Sequence, residues 1–265
     1  FGHLEVLKWL HQVNPNLINQ QNNKGQTPAH WASLNGHLEV LKWLHQVNPN
    51  LITQQNISGN TPAHWAAIKG HMSVLQWLHN NGYQALISQA DPRGHTLAHF
   101  AAKFGQADVL QWLHKLNPEL ISQKDNNGNT PAHWAAEFGQ LEVLQCLHQV
   151  NPNLINQQNN HGNTPAHFAT QFGHLKVLQC LHKLNPELIS QQNNAGETPA
   201  HWASLNGHLE VLQWLHQVNS NLINQQNNDG ETPAHWASLN AQLEVLQWLH
   251  QVNPNLINQK DNNGY

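Results

Sequence analysis

The six residues from Thr27 to Ala32, Thr-Pro-Ala-His-Trp-Ala, recur along the chain at a nearly fixed interval. The phrase returns unchanged at Thr61, Thr130, Thr198 and Thr232, and in altered form at Thr96 and Thr164. Successive copies begin 34, 35, 34, 34, 34 and 34 residues apart. Such a period is the sequence signature of stacked repeats, in which each unit buries its apolar face against its neighbours. The chain is therefore predicted to be one array of repeats.

Each phrase opens a short helix. Thr27 is a good N-cap residue, and Pro28 suits the first helical position because the N–H that proline lacks has no partner there. The helix is predicted to continue through Asn35. Gly36 then supplies the left-handed backbone conformation that commonly ends a helix.

A second helix is predicted from Leu38 to Val47 because its apolar residues recur at helical spacing. The Asn48-Pro49 pair stops it, since a residue before proline avoids the helical region. Leu51 and Ile52 are expected to fix the returning loop to the core. The apolar face consists of Val40, Leu41, Leu44 and Val47.

This order of helix, turn, helix, loop and β-turn, with Thr-Pro-x-His at the start, resembles the ankyrin repeat over the whole chain. The resemblance implies an all-α solenoid of stacked helix-turn-helix units, joined by β-turn and extended loops. It also implies that the motif histidine, such as His30, hydrogen-bonds neighbouring backbone and threonine. The predicted array has a partial repeat at 1–23, seven repeats from about 24 to 257, and a partial repeat at 258–265. Because Phe1 falls within a repeat and Tyr265 on a turn, the array is expected to be a fragment of a longer chain.

Composition and charge exclude several classes of function. The net charge of −4 gives no basic footprint for nucleic acid, and no apolar run is long enough to span a membrane. Cys146 and Cys180 occupy the same slot in successive repeats, too far apart for a disulfide if stacked helices keep their usual spacing. Two thiols suit a reducing compartment, so a cytoplasmic location is predicted, with delivery to a host cell left open. A monomer is expected.

The histidines do not indicate a metal site or a catalytic site. All but two of the 22 fall at three repeated positions of the unit, and single residues spaced along a stack do not converge on a metal. No phosphate-binding loop or hydrolase motif is present. We therefore predict no catalytic residue, metal or cofactor, and no enzyme activity. The repeated tryptophans are interpreted as core residues.

Positions that vary between repeats are where partner binding is expected. By resemblance, the turns and the exposed ends of the first helices line a concave groove. Phe104, Phe138 and Phe172 occupy one slot in three consecutive repeats. They form either an exposed aromatic stripe about 20 Å long or a row of buried rings folded back on the preceding turn. The predicted partner-binding residues are Arg93, His95, Lys103, Phe104, Asn127, Glu137, Phe138, His161, Gln171 and Phe172.

Charge also varies along the predicted groove. Cations lie towards the N-terminal end and carboxylates towards the C-terminal end, which would fix the direction of an extended partner, unless the charges are scattered by chance. The cations are Lys24, Lys69, Arg93 and Lys103, and the carboxylates are Glu197, Asp229 and Glu231.

The sequence thus predicts a non-catalytic scaffold that binds a protein or peptide partner in its groove. One alternative is the targeting or substrate-recognition arm of a larger enzyme, or a host-directed effector of an intracellular microbe. A structural spacer with no fixed partner is a third interpretation.

Overall fold

A computed structural model describes residues 2–264, so Phe1 and Tyr265 lie outside the described part. The chain divides into two compact units, and the division falls after Asn126. The described residues form sixteen α-helices and no β-strand, as the all-α prediction requires. In both units, the recurring phrase opens a short helix, and a longer helix of nine or ten residues follows it.

The helices of the first unit are α1 (Leu4–Val13), α2 (Pro28–Leu34), α3 (Leu38–Val47), α4 (Pro62–Lys69), α5 (Met72–Asn80), α6 (Gln84–Ser88), α7 (Leu97–Lys103) and α8 (Ala107–Leu116). Its 3₁₀ helices are Pro15–Asn19, Pro49–Ile52 and Pro118–Ile121. The short helices α2, α4 and α7 pack in series, and each also packs against the longer helix that follows it.

The helices of the second unit are α9 (Pro131–Glu137), α10 (Leu141–Val150), α11 (Pro165–Gln171), α12 (Leu175–Leu184), α13 (Pro199–Leu205), α14 (Leu209–Val218), α15 (Pro233–Leu239) and α16 (Leu243–Val252). Its 3₁₀ helices are Pro152–Asn156, Pro186–Ile189, Ser220–Asn224 and Pro254–Ile257. Here α9, α11, α13 and α15 pack in series.

Each helix that the recurring phrase opens starts with a capping box. In α2, the Nδ1 atom of His30 accepts the backbone N–H of Thr27 at 3.1 Å and lies 2.9 Å from the threonine hydroxyl. Pro28 occupies the first turn. The alanines on the inner side, Ala29 and Ala32, are buried, so successive short helices approach closely.

Glycine sets the tight turn between the two helices. Gly36 has φ +70°, and a Cβ atom there would lie 2.7 Å from Nδ1 of His71 in the next repeat. Among the described residues, Ala241 is the only non-glycine residue with positive φ, at 53°. It stands where the other repeats have glycine.

The longer helices bury a narrower face than the spacing predicted. In α3, Val40, Leu41 and Leu44 are buried, but Val47 is 37% exposed. The prediction was wrong for Val47 because it is the last residue of the helix, where the chain already turns away at Asn48.

The returning loop is more regular than predicted. The side chain of Asn48 accepts the N–H of Asn50, and residues Pro49–Ile52 form a 3₁₀ helix that buries Leu51 and Ile52. In the repeat that carries one extra residue, the short helix α6 takes the place of the 3₁₀ helix.

The tryptophans are not core residues, and this interpretation was wrong. Trp65, Trp134, Trp202 and Trp236 are half-buried, and Trp31 is exposed. The core is filled instead by alanine, leucine, isoleucine and valine. The tryptophan rings lie outside it and pack edge-on against histidines of the preceding repeat. Examples are the pairs His30–Trp65, His45–Trp77, His182–Trp214 and His201–Trp236.

Cys146 is buried and Cys180 is half-buried, and no disulfide joins them. Burial raises the pKa of the Cys180 thiol, opposed in part by a hydrogen bond to Gln145 and by Lys183. Both side chains thus replace tryptophan as small apolar groups.

Candidate partner-binding face

The motif histidines connect each short helix to the turn of the next repeat. In the second unit, Nε2 of His133, His167 and His201 donates to the backbone carbonyls of Asn163, Glu197 and Glu231, at 2.9, 3.1 and 3.0 Å. Desolvation lowers the pKa of His64, His167 and His201 to about 4. These side chains are therefore neutral structural groups, in the role that the family resemblance implied.

The turns form a second hydrogen-bonded row. The N–H of Asn160 donates to the carbonyl of Asn127, and that of Asn194 donates to the carbonyl of His161, each at 3.0 Å. Asn194 also donates through its side chain to the carbonyl of Asn160. The backbone at Asn127 and His161 is thus fixed within the stack, while both residues are exposed.

In the first unit, Phe104 is the C-cap residue of α7, and its ring is 43% exposed. The Nζ atom of Lys103 lies 5.7 Å from the ring centroid, within the range of a cation–π contact. Arg93 is exposed at the preceding turn. His95 is half-buried and points into the turn, where Nδ1 lies 3.0 Å from Oδ2 of Asp91.

In the second unit, Phe138 and Phe172 are the C-cap residues of α9 and α11, two helices that pack against each other. Their rings are 37% and 44% exposed. The ring of Phe138 is 6.4 Å from that of Trp134, and the ring of Phe172 stacks at 6.5 Å on His174. The two rings are therefore partly exposed and do not form a buried row folded back on the preceding turn.

Glu137 and Gln171 precede these rings and are half-buried. Their backbone carbonyls accept hydrogen bonds from Nε2 of His174 and His208, both at 2.9 Å. The side chains of both residues therefore stand on a backbone that the next repeat holds in place.

The sequence did not predict that two glutamate carboxylates each contact a tryptophan. Oε2 of Glu197 accepts a hydrogen bond from Nε1 of Trp202, and Oε2 of Glu231 accepts one from Nε1 of Trp236. The signal in the sequence is a glutamate five residues before the motif tryptophan, which occurs only in these two repeats. The sequence predicts the glutamates as part of a charge gradient and the tryptophans as core residues, and therefore does not pair them.

No group of three or more histidine, cysteine or acidic side chains within residues 2–264 is arranged to hold a metal ion. A search of residues 2–264 also finds no helix with the length and apolar character needed to cross a membrane.

Paired helices, a histidine-capped helix start and a hydrogen-bonded row of turns define a helical repeat protein. A family model described as "Ankyrin repeats (3 copies)" matches residues 1–89, 79–154, 98–191, 139–222 and 180–261. The chain therefore belongs to the ankyrin repeat family. Comparison with curated proteins returned no match. Ankyrin repeats generally mediate protein–protein interaction and are typically non-catalytic.

Proposed function

We propose that this chain is a non-catalytic scaffold that binds a protein or peptide partner through the ends of its short helices and the adjoining turns. The observation that carries the proposal is the partial exposure of Phe104, Phe138 and Phe172 at equivalent helix ends. Aromatic side chains on a polar surface are the residues on which interface energy concentrates.

Rigid presentation supports the proposal. The backbone N–H of Phe138 donates to the carbonyl of Trp134 at 3.0 Å, and that of Phe172 donates to the carbonyl of Phe168 at 3.2 Å. A surface that is already ordered loses less conformational entropy on binding. Around the rings, we assign partner contacts to Arg93, His95, Lys103, Asn127, Glu137, His161 and Gln171.

We also propose a location and an oligomeric state. A reducing, cytoplasmic compartment is supported by two cysteines that no disulfide joins, and the chain is proposed to be a monomer. A protein partner is favoured over nucleic acid because the overall charge is negative.

The test replaces all three phenylalanines by asparagine, the residue that ends the equivalent helices at Asn35 and Asn206. Asparagine caps those helices well, because the Asn35 side chain donates to the carbonyl of Trp31 at 2.7 Å. We expect the triple variant to keep its cooperative melting and to lose the partner that the unaltered chain captures from a lysate.

Val218→Asn is the matched control, since it removes a similarly exposed apolar group from a longer helix, α14. The control variant should capture the partner normally. Capture that survives the triple substitution, or that fails equally with the control, would contradict the proposed site. Loss of cooperative melting in the triple variant would show that the rings are structural.

A further inference from the structure

Two glutamates of the second unit are held rigidly by hydrogen bonds to tryptophan and asparagine. Oε2 of Glu197 accepts from Nε1 of Trp202 at 3.1 Å and from Nδ2 of Asn193 at 2.7 Å. The next repeat reproduces the arrangement, with Oε2 of Glu231 2.9 Å from Nε1 of Trp236 and 2.9 Å from Nδ2 of Asn227. Both contacts fall on the same oxygen, so Oε1 of each carboxylate retains acceptor capacity.

The two glutamate–tryptophan pairs are neighbours. Trp202 and Trp236 lie on α13 and α15, which pack against each other, and their ring centroids are 6.4 Å apart at an interplanar angle of 48°. All four side chains belong to half-buried residues. Two indole faces and two carboxylates thus share one partly desolvated surface.

This surface lacks a cation of its own. Neither Glu197 nor Glu231 forms an ion pair with any side chain in residues 2–264. The second unit, residues 127–265, contains three lysines, no arginine and nine acidic residues, a formal net charge of −6. The first unit, residues 1–126, contains eight basic and six acidic residues, a net charge of +2.

The first unit contains the same aromatic pair without the charges. Trp31 and Trp65 have ring centroids 5.6 Å apart, but Gln26 and Asn60 stand where the second unit has glutamate. The tryptophan pair is therefore part of the repeat scaffold, and the carboxylates are an addition specific to the second unit. The neutral residues support a similar ring pair but leave Nε1 of Trp65 buried without a hydrogen-bond partner among the described residues, whereas the glutamates accept the indole N–H of Trp202 and Trp236 and also add negative charge.

We propose that Glu197, Trp202, Glu231 and Trp236 form a recognition site for a lysine or arginine side chain in a basic segment of the partner. A cation over an indole face is attracted by the ring quadrupole, and a carboxylate beside the ring adds a charge-assisted hydrogen bond. Arginine suits the site better than lysine, because its planar guanidinium stacks on an aromatic ring while it donates to carboxylates. The inference deepens the proposed function by naming the chemistry of the partner.

The experiment titrates the whole chain with a synthetic peptide that contains three arginines flanked by glycine and serine. The indole N–H resonances of the protein are followed by NMR. Those of Trp202 and Trp236 are assigned with Trp202→Phe and Trp236→Phe, because phenylalanine occupies this slot naturally at Phe100 and Phe168. We expect the peptide to shift these two resonances and not those of Trp31 and Trp65. A peptide with glutamine in place of arginine should shift none of them.

The Glu197→Gln/Glu231→Asn double variant gives the second unit the neutral residues of the first. We expect it to bind the arginine peptide about tenfold more weakly, the scale of one lost charge-assisted hydrogen bond, because the tryptophan rings remain. Glu210→Gln/Glu244→Gln removes the same charge from exposed positions on α14 and α16 and should retain most of the affinity. Shifts elsewhere than at Trp202 and Trp236, or equal weakening by both double variants, would overturn the proposal.

This titration is independent of the phenylalanine test. The triple Phe→Asn variant should bind the arginine peptide as the unaltered chain does. If the peptide does not bind while partner capture depends on the phenylalanines, the recognition of a basic segment is wrong and the proposed function stands. If the peptide binds at the tryptophans while capture ignores the phenylalanines, the assignment of the phenylalanine face fails instead.

Discussion

The motif histidine stabilises the fold by being neutral and buried. In His167, Nδ1 accepts the N–H of Thr164 at 3.1 Å and Nε2 donates to the carbonyl of Glu197 at 3.1 Å. Protonation would place a hydrogen on Nδ1, opposite a backbone donor, and would bury a charge. One residue thus joins helix capping to the contact between repeats.

Neutral, buried histidines predict that the free energy of unfolding decreases as the pH falls. Burial lowers the pKa of His64, His167 and His201 to about 4, below the ordinary value of 6.5. Between these values the unfolded chain binds protons that the folded chain does not, so the free energy of unfolding is fully present above pH 6.5 and decreases as pH falls towards 4. We expect a loss of about 1 kcal/mol per histidine on going from pH 7.5 to 5.5. Urea unfolding at the two pH values measures it, and an unchanged midpoint would contradict the neutral role.

At the scale of a single turn, Ala241 is the strained residue. Its φ of 53° is in the left-handed region, which costs a residue with a Cβ roughly 1–2 kcal/mol. Ala241→Gly should raise the free energy of unfolding by about 0.5–1 kcal/mol, since part of the relief is offset by the greater freedom of glycine in the unfolded chain.

The reverse substitution is the control for that turn. Gly207 has φ +72°, and a Cβ atom there would meet the side-chain amide of Gln242. Gly207→Ala should destabilise the chain in thermal melting. If Ala241→Gly lowers the melting temperature instead, strain at this turn is not what the geometry indicates.

The 3₁₀ helix after each longer helix offers another element-scale prediction. Ser220 opens one such helix where most other repeats have proline, and Asn219 before it is already extended at φ −155° and ψ 111°. A residue before proline prefers that conformation. Ser220→Pro should therefore stabilise the fold by about 0.5 kcal/mol through the unfolded state, measured by chemical denaturation. A loss of stability would mean that the 3₁₀ helix at Ser220 differs from those at its proline-bearing equivalents.

Sequence rules that act within one repeat predicted the bounds of the helices, but they did not predict which side chains are exposed. The bounds Leu38–Val47 follow from Gly36 and the Asn48-Pro49 pair, all of which act within one repeat. The half-exposure of the tryptophans could not be predicted, because it depends on how far apart neighbouring repeats stack. The bond between Glu197 and Trp202 was missed for a different reason: a spacing of five across a helix start indicates contact only once the cap geometry is known.

At the scale of the whole molecule, recurrence separates scaffold from surface. Thr-Pro-Ala-His looks like a candidate functional motif, yet every copy described starts a helix, and His30, His133, His167 and His201 also bond the backbone of the next turn. Side chains that differ between repeats are not needed to form each repeat. Examples are Phe138, Phe172, Glu197 and Glu231. They are half-buried or partly exposed, and the repeated backbone holds them rigidly.

The two units carry opposite formal charge, −6 for residues 127–265 and +2 for residues 1–126. The order of charges along the sequence, with cations first and carboxylates later, is therefore a property of whole units and extends beyond the predicted groove. A partner with a basic segment would associate faster with the second unit at low salt, since attraction between exposed charges is screened at a distance of about 10 Å in 0.1 M salt.

The central claim is that the exposed phenylalanines at the helix ends bind a protein partner, and the most direct measurement is an affinity. The dissociation constant of the captured partner is compared between the unaltered chain and the Phe104→Asn/Phe138→Asn/Phe172→Asn variant, after thermal melting has shown that both are folded. We predict an increase of at least about tenfold, because loss of an interface aromatic anchor typically costs more than 1 kcal/mol. An unchanged dissociation constant in a folded triple variant would contradict the account.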